Sequence, residues 1–338
     1  MRKRLKNLLA GALLRVGVDA LGRWRNRHKL LVVMYHGITR HDYNPPVWTQ
    51  LPENVFRWQM EFLTRTYRPV SLQQVLWAIA GERPLPERAV LITFDDGLRN
   101  NATVAWPILR QLGVPATIFL TVDFIGTERF FWVDELYMHL VEAARSGKKW
   151  PLVDIAGIDN LLRSKRVWDA YLVIVEQYKR LPEFVRQERM APLTTVLPFD
   201  RSCYQEDFGL MDWQQVAAMY DENTINFGVH TATHQILTQM DPAKTEHELV
   251  ASKKILEERL GYQVKAFCYP NGGRGHDFLP EHERLLHEIG YVCAFATDQG
   301  LFDPAHDNPY AVGRIPAGND LTSCPQFFSV NTAGCMIW

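Results

Sequence analysis

The chain has 338 residues, of which 47% are hydrophobic and 22% are charged, and its formal net charge is −1. This composition is that of an ordinary globular protein, and the balanced charge excludes a global attraction to nucleic acid, so we expect no nucleic-acid partner. The five cysteines follow no CxxC spacing, which argues against a disulfide framework or a structural zinc site and favours a reducing compartment.

The first 29 residues form a basic amphipathic segment. Residues 1–6 are rich in Arg and Lys, and a short apolar run follows over residues 8–14. The pattern predicts a helix over residues 5–22, either packed or solvated, which would also permit weak contact with an anionic membrane surface. Because the apolar run is too short to span a bilayer and no small-x-small cleavage site ends it, we expect a cytoplasmic protein, peripheral at most at the inner membrane face.

From residue 30 onwards, short apolar runs with strand character alternate with segments of helical periodicity. The predicted strands are 30–35, 89–93, 116–121, 226–229, 264–269 and 291–297. The predicted helices are 52–67, 103–112 and 280–289, one that begins after Ser71, and one between Asp241 and Gly261. This order predicts parallel pairing, and at least six strands favour an α/β fold in the form of a closed or nearly closed barrel.

Residues 126–210 interrupt the alternation. They contain helix-like stretches at 134–145 and 167–181, an aromatic cluster at 130–132, and no convincing buried strand. We interpret them as a helical insertion between two barrel strands, which would sit over the active site if it joins the strands at their carboxyl ends.

Two adjacent carboxylates, Asp95 and Asp96, close the apolar run that begins at residue 89. Like charges at a strand end raise each other's pKa and destabilise the fold unless something offsets them. A metal ion bound by one carboxylate, with a proton-transfer role for the other, would do so. The alternative is a simple turn or helix cap, because Gly97 follows directly.

His230 and His234 follow the predicted strand at 226–229. Two histidines four residues apart can converge on one cation if the chain turns as it leaves the strand. Together with Asp96 they would leave coordination positions open for water and substrate, as a catalytic Zn²⁺ or a similar divalent ion requires. A chance spacing is the alternative, since the chain has 11 histidines.

A third polar segment, Tyr269-Pro270-Asn271-Gly272, ends another predicted strand. A simple turn explains it, with proline at its second position and glycine supplying a positive φ. A rigid loop that presents a backbone N–H group to a developing oxyanion is the functional alternative.

Taken in this order, residues 93–97, 230–234 and 269–272 resemble the first three motifs of the nodulation-type polysaccharide deacetylases, carbohydrate esterase family four. Residues 31–37 also resemble the opening strand of many members. The resemblance implies a distorted (β/α)₇-type barrel over residues 30–338, interrupted by the insertion. It also implies metal-dependent removal of an acyl group, usually N-acetyl, from a sugar.

The resemblance implies a role for each matching residue. Asp96, His230 and His234 would hold the divalent metal, most simply Zn²⁺. Asp95 would act as the general base that activates the attacking water. The backbone N–H of Asn271 would stabilise the oxyanion.

The chain departs from the family pattern at two places. The third motif commonly carries an Arg before its proline, where this chain has Cys268 and Tyr269. The late Leu-x-x-x-His motif, whose His protonates the leaving amine, is absent from its expected place at residues 312–317. We therefore expect Arg314 to orient the base and His36 to be the general acid, with a purely structural histidine as the alternative for His36.

For the substrate we expect contacts from Tyr269, Pro270 and Trp132, whose ring could stack on a sugar face. The expected reaction is N-deacetylation of an amino-sugar unit in a surface polysaccharide or glycan precursor. The absence of a convincing export signal favours a nucleotide-linked or lipid-linked substrate. Two alternatives stay open, a carbohydrate O-acetyl esterase and a catalytically degenerate barrel that only binds carbohydrate.

Overall fold

A computed structural model describes residues 2–152, 155–221 and 224–335. The strands in this part of the chain are β1 (Leu31–Tyr35), β2 (Gly37–Thr39), β3 (Gln50–Pro52), β4 (Arg68–Pro69), β5 (Ala89–Phe94), β6 (Ala116–Leu120), β7 (Ile225–Val229), β8 (Ala266–Cys268), β9 (Cys293–Phe295) and β10 (Ile315–Pro316). The helices are α1 (Arg2–Arg15), α2 (Val18–Arg25), α3 (Glu53–Thr66), α4 (Leu72–Ile79), α5 (Trp106–Leu112), α6 (Trp132–Ser146), α7 (Ile158–Arg163), α8 (Val167–Tyr178), α9 (Glu183–Val196), α10 (Gln205–Phe208), α11 (Trp213–Met219), α12 (Pro242–Leu260), α13 (Pro280–Ile289) and α14 (Pro325–Thr332).

The main sheet is parallel throughout and curls into a barrel. Its strand order is β10-β1-β5-β6-β7-β8-β9, with the short β4 paired to the start of β5. Val312 forms a parallel bridge with Phe295 of β9, and β10 three residues later pairs with β1. The segment 312–316 therefore spans the gap between the last and the first strand, and the predicted distorted (β/α)₇-type barrel is confirmed.

The strands have buried side chains on both faces, as expected for a parallel sheet covered by helices. All six residues of β5 are buried. Phe119 on β6 and Phe295 on β9 have ring centroids 5.2 Å apart, although β7 and β8 lie between their strands. These rings therefore meet across the barrel interior, while alternate residues such as Phe94 pack outward against Phe56 of α3.

The N-terminal residues form two helices where the sequence predicts one over residues 5–22. Gly17 separates α1 from α2 because its left-handed backbone, with φ of 73°, cannot continue an α-helix. Ala10 of α1 packs into an apolar cluster with Phe327 and Val330 of α14. Within the described ranges, no helix combines the length and the apolar character needed to cross a membrane.

Helices α6 to α10 lie between β6 and β7, over the residues where the sequence predicts a helical insertion. Residues of α6, α7, α8 and α9 form an apolar cluster of their own, with Leu140, Ile174 and Leu193 fully buried in it. The aromatic residues Phe130, Tyr137 and Phe208 form a second, smaller cluster in the same segment. The helices are thus held together by their own core as well as by the barrel.

Gly228 of β7 is a position where the barrel has no space for a side chain. A Cβ atom there would lie 2.6 Å from Cδ1 of Phe119 and 2.9 Å from the carbonyl oxygen of Ala266. We expect Gly228→Ala to lower the free energy of unfolding by about 1–3 kcal/mol in urea titrations, because such overpacking forces neighbouring groups apart. Gly300→Ala, which meets no atom within 4 Å, is the matched control. Equal stability of the two variants would contradict this account of the packing.

Candidate active site

The carboxyl ends of four parallel strands bring polar side chains to one edge of the barrel. His36 follows β1, Asp95 and Asp96 follow β5, His230 follows β7, and Asn271 lies three residues after β8. All five line one cavity of about 420 Å³. This is the end of a parallel barrel at which enzymes of this architecture carry their active sites.

Asp96, His230 and His234 converge at this edge as the sequence predicts. The Nε2 atoms of His230 and His234 lie 3.5 Å and 3.3 Å from Oδ1 of Asp96. That Oδ1 atom is buried and accepts no hydrogen bond from the described residues. Since a buried carboxylate oxygen without a partner is costly, the arrangement fits a cation held between the three side chains.

The protonation states also suit a cation. Nδ1 of His230 donates to the carbonyl oxygen of Cys268 at 2.8 Å, and burial lowers the pKa of His230 to about 4. The imidazole is therefore neutral at pH 7, with the lone pair of Nε2 directed at Asp96. Burial opposes ionisation of Asp96, but the adjacent His234 and the other histidines hold its pKa well below the usual range. One carboxylate and two imidazoles are a donor set typical of Zn²⁺ and similar divalent ions.

Asp95 is paired with Arg314 inside the barrel mouth. Nη1 and Nη2 of Arg314 donate to Oδ1 and Oδ2 of Asp95 at 2.7 Å and 2.8 Å. Both side chains are buried, and Nε of Arg314 donates to the carbonyl oxygen of Ala296. Burial raises the pKa of Asp95, but the coulombic attraction and hydrogen bonds of Arg314 more than offset it, so the pKa is lowered. Asp95 is thus an ionised carboxylate at neutral pH, and the pair's stabilisation is lost only at acidic pH.

A second cluster, Asp95, His230 and Cys268, also has metal-ligating atoms close together. Arg314 contacts two of its three members, because its Nη2 lies 2.8 Å from Asp95 and 3.2 Å from Sγ of Cys268. Burial also raises the pKa of the Cys268 thiol well above its usual value. A guanidinium cation at this place and a protonated thiol do not fit a metal ion, so the Asp96 cluster is the candidate metal site.

His36 lies at the cavity wall after β1, the strand that pairs directly with the carboxylates' own strand, β5. Its Nδ1 atom is buried without a hydrogen-bond partner among the described residues. The carbonyl oxygen of His36 accepts a hydrogen bond from Nδ2 of Asn101 at 2.6 Å, and its ring meets the Trp48 ring edge-on with centroids 5.2 Å apart. The histidine is therefore fixed in place while its imidazole polar atoms stay free for a ligand.

The loop after β8 brings Asn271 but not all of its predicted neighbours to the cavity. The backbone N–H of Asn271 makes no hydrogen bond within the described part of the chain. Tyr269 is buried, with its ring stacked on Phe278 at 3.7 Å and its hydroxyl donating to the carbonyl oxygen of Tyr310. Tyr269 and Trp132 line the cavity, whereas Pro270 is buried and does not.

Three site residues adopt left-handed backbone conformations. The φ angles of Asp96, His234 and Asn271 are 76°, 62° and 60°. This region is unfavourable for residues other than glycine, and such strain concentrates at functional sites. Each of these residues lies where the chain turns away from a strand end, which directs polar groups back into the cavity.

Two ionisable residues that no sequence pattern indicates, Glu248 and Asp134, also shape the site. Oε1 of Glu248 on α12 accepts hydrogen bonds from the backbone N–H groups of Ala232 and Thr233 and from the Thr233 hydroxyl, at 2.7–3.0 Å. It thereby holds the loop that carries His234. Asp134 of α6 lines the cavity, and burial, with the charge of Asp96, raises its pKa well above the usual range. No local spacing distinguishes either residue from surface charges on the same helices.

Comparison with known proteins assigns the chain to a family. The family model of polysaccharide deacetylases matches residues 82–291, so the chain belongs to the polysaccharide deacetylase family. The chain is 31% identical over 278 residues to YxkH of Bacillus subtilis, described as a polysaccharide deacetylase, over 81% of this chain and 69% of that protein. A segment of 61 residues is 44% identical to the poly-β-1,6-N-acetyl-D-glucosamine N-deacetylase of Escherichia coli, covering 18% of this chain and 9% of that enzyme.

Solved structures support the same fold. IcaB from Ammonifex degensii superposes with a TM-score of 0.56 at 17% identity, over 91% of this chain and 98% of its own. A polysaccharide deacetylase from Bacillus cereus gives a TM-score of 0.55 at 18% identity, over 90% of this chain and 69% of its own. Family and fold together identify a deacetylase that acts on carbohydrate.

The pair formed by Asp95 and Arg314 generates a stability prediction. Arg314→Met should lower the free energy of unfolding by about 3–5 kcal/mol, because it leaves the carboxylate of Asp95 buried without its partner. Combining it with Asp95→Asn should recover a large part of the loss, since no buried charge then remains. Urea unfolding of both single variants and the double variant measures the coupling.

Arg145→Met is the control for this experiment, because Arg145 pairs with Glu142 at the exposed surface and its loss should leave stability unchanged. Strictly additive effects of Arg314→Met and Asp95→Asn would show that the pair does not act as a unit.

Proposed function

We propose that the protein is a metal-dependent hydrolase that removes the N-acetyl group from an amino-sugar unit of a polysaccharide or glycan precursor. The observation that carries the proposal is the ionised Asp95, fixed by Arg314 beside a three-residue cation site in the same cavity. A protein that only binds carbohydrate has no use for a buried base beside a metal site, which argues against a catalytically degenerate barrel.

The cation site would be formed by Asp96, His230 and His234. A divalent ion held there, most simply Zn²⁺, supplies Lewis-acid polarisation of the carbonyl oxygen and favours deprotonation of water at neutral pH. Glu248 maintains the position of the third ligand through its hydrogen bonds to the 231–234 loop.

Asp95 acts as the general base. Arg314 keeps its carboxylate ionised and fixes its orientation with two hydrogen bonds, so it can accept a proton from the attacking water. The water oxygen then bonds to the acetyl carbon. The free N–H group of Asn271 stabilises the negative charge that develops on the carbonyl oxygen.

His36 completes the reaction as the general acid. Protonation of the sugar nitrogen allows the C–N bond to break, which releases acetate and leaves a free amine on the sugar. His36 approaches the cavity from β1, whereas Asp95 approaches from β5, so acid and base reach the scissile bond from different strands.

The substrate assignment rests on the family and on the name of the Escherichia coli relative, which matches only a short segment. Tyr269, Pro270 and Trp132 keep their predicted role in substrate binding, and two of them, Tyr269 and Trp132, line the cavity. Three further expectations likewise stay predictions. They are the division into an N-terminal segment 1–29 and a barrel 30–338 interrupted at 126–210, the cytoplasmic location, and weak membrane contact through the first helix.

Asp95→Asn should abolish the reaction without emptying the metal site. Metal-loaded wild type should bind about one divalent ion and release acetate from N-acetylhexosamine oligomers, whereas kcat of the variant should fall by about 10²–10⁴-fold because the base is lost. Acetate release and metal content by mass spectrometry are measured on the same samples. Asp169→Asn, at an exposed ion pair on α8, is the control. Normal turnover by Asp95→Asn, or wild type without a bound divalent ion, would contradict the mechanism.

His36→Gln separates the acid role from a structural one. We expect kcat to fall by about 10²–10³-fold while metal content and thermal stability stay near those of wild type, because only the proton donor is removed. Enzyme kinetics and differential scanning calorimetry provide both readouts, and His28→Gln at an exposed position serves as control. A variant that unfolds earlier but retains near-normal kcat would assign His36 to the structure alone.

A further inference from the structure

The first two helices carry an exposed apolar surface. Within the described ranges, five of the ten exposed large apolar side chains belong to residues 8–24, and they are between 46% and 75% exposed. They are Leu8, Leu9, Val16, Leu21 and Trp24. Exposed apolar residues that are scattered singly need no explanation, whereas such a concentration marks an interaction surface.

The exposed side chains are arranged on one face of each helix. Residues three or four apart lie on the same face of an α-helix. Leu8 and Leu9 are four and three residues before Ala12 of α1, which is also exposed. Leu21 is three residues before Trp24 of α2. Each helix therefore presents an apolar face to solvent.

The opposite faces of α1 and α2 pack against α14 and its C-terminal end. Ala10 of α1 is fully buried in a cluster with Phe327 and Val330. Gly22 of α2 is buried so close to the end of α14 that a Cβ atom there would lie 2.8 Å from the carbonyl oxygen of Ala333. Both helices are therefore anchored to the same element, and their apolar faces point away from it.

The same segment is strongly basic. Residues 1–29 contain nine of the 37 Lys and Arg residues but one of the 38 Asp and Glu residues, a formal charge of +8 in a chain of −1. The one acidic residue, Asp19, is buried and paired with Arg23 at 2.8 Å. Arg15 and Arg25 are exposed and form no ion pair or hydrogen bond within the described part of the chain. Unpaired cations are therefore available beside the apolar faces.

A bilayer that contains anionic lipids matches both properties. Its headgroups attract the cations, and its acyl chains accept the apolar side chains. A nucleic acid would satisfy the cations but would leave the apolar side chains in water. Trp24, whose ring centroid lies 5.1 Å from the guanidinium carbon of Arg27, has the amphipathic ring that is typical of membrane interfaces.

We propose that α1 and α2 together form a docking surface for an anionic membrane. Both helices lie along the interface, their apolar side chains enter the boundary between headgroups and acyl chains, and the flanking arginines contact lipid phosphates. No residue of either helix lines the candidate active-site cavity. Docking is therefore independent of the proposed hydrolysis and is tested without it.

The test is flotation of the full chain with lipid vesicles. Binding to phosphatidylcholine vesicles with about 30% phosphatidylglycerol should be at least about tenfold tighter than to pure phosphatidylcholine, and should weaken as salt is added. Val16→Ser combined with Leu21→Ser should lower the affinity at least about tenfold, because less apolar surface enters the lipid. Leu172→Ser combined with Val250→Ser, at exposed positions of α8 and α12, is the matched control.

A second pair of variants removes charge and keeps the apolar faces. Arg15→Gln combined with Arg25→Gln should lower the affinity for the anionic vesicles about tenfold and leave binding to pure phosphatidylcholine unchanged. Arg65→Gln combined with Arg284→Gln is the control, because both arginines are exposed and form no ion pair within the described ranges. It should bind as wild type does.

Thermal unfolding followed by circular dichroism should be the same for all four double variants and wild type, because every substituted side chain is exposed. If the serine variant at positions 16 and 21 unfolds early, the arginine variant decides alone. Equal binding to neutral and anionic vesicles, no binding to either, or an equal loss in the controls overturns the docking surface. Sedimentation without lipid tests a second copy as the occupant, and a dimer that the serine variant dissociates also overturns the membrane proposal.

Discussion

The structure depends on a buried ion pair between Asp95 and Arg314. Removing two charges from water is costly, and mutual attraction compensates for it only when the geometry is good and the remaining donors are satisfied. Here the guanidinium meets both carboxylate oxygens, and its Nε donates to the carbonyl oxygen of Ala296. Because Arg314 belongs to the segment that bridges β9 and β1, the contact that orients Asp95 also joins the two ends of the sheet.

The remaining charges at the barrel mouth are distributed around this pair. Asp96 is next to Asp95 in the chain but has no guanidinium of its own, and it faces two imidazole nitrogens instead. The carbonyl of Cys268 keeps His230 in the tautomer that presents a lone pair. The two adjacent carboxylates can coexist because each faces a different kind of positive partner. Asp95 pairs with Arg314, and Asp96 belongs to the candidate cation site.

Much of the barrel could be predicted because its strands are buried on both faces and read as continuous apolar runs. Polar residues at the ends of those runs were enough to indicate Asp95, Asp96, His230 and His234, since parallel strands bring their carboxyl ends together. Arg314 could be predicted as a partner of Asp95 only because the resemblance showed that an arginine was missing elsewhere. The break at Gly17 was not predicted, because an amphipathic pattern continues across it. Glu248 acts through contacts between distant parts of the chain, and helical spacing gives no signal for such contacts.

The position of Arg314 in the chain has a consequence for the order in which the candidate site forms during synthesis. It lies 219 residues after Asp95, whereas the three candidate metal ligands and Asn271 all emerge from the ribosome before it. A nascent chain can therefore form most strands and bring the candidate metal ligands together while Asp95 still lacks its partner. Contacts between such distant residues form late, because a long loop must be closed first. Pairing of the 312–316 segment with β1 is thus also the step that gives Asp95, the proposed catalytic base, its guanidinium partner.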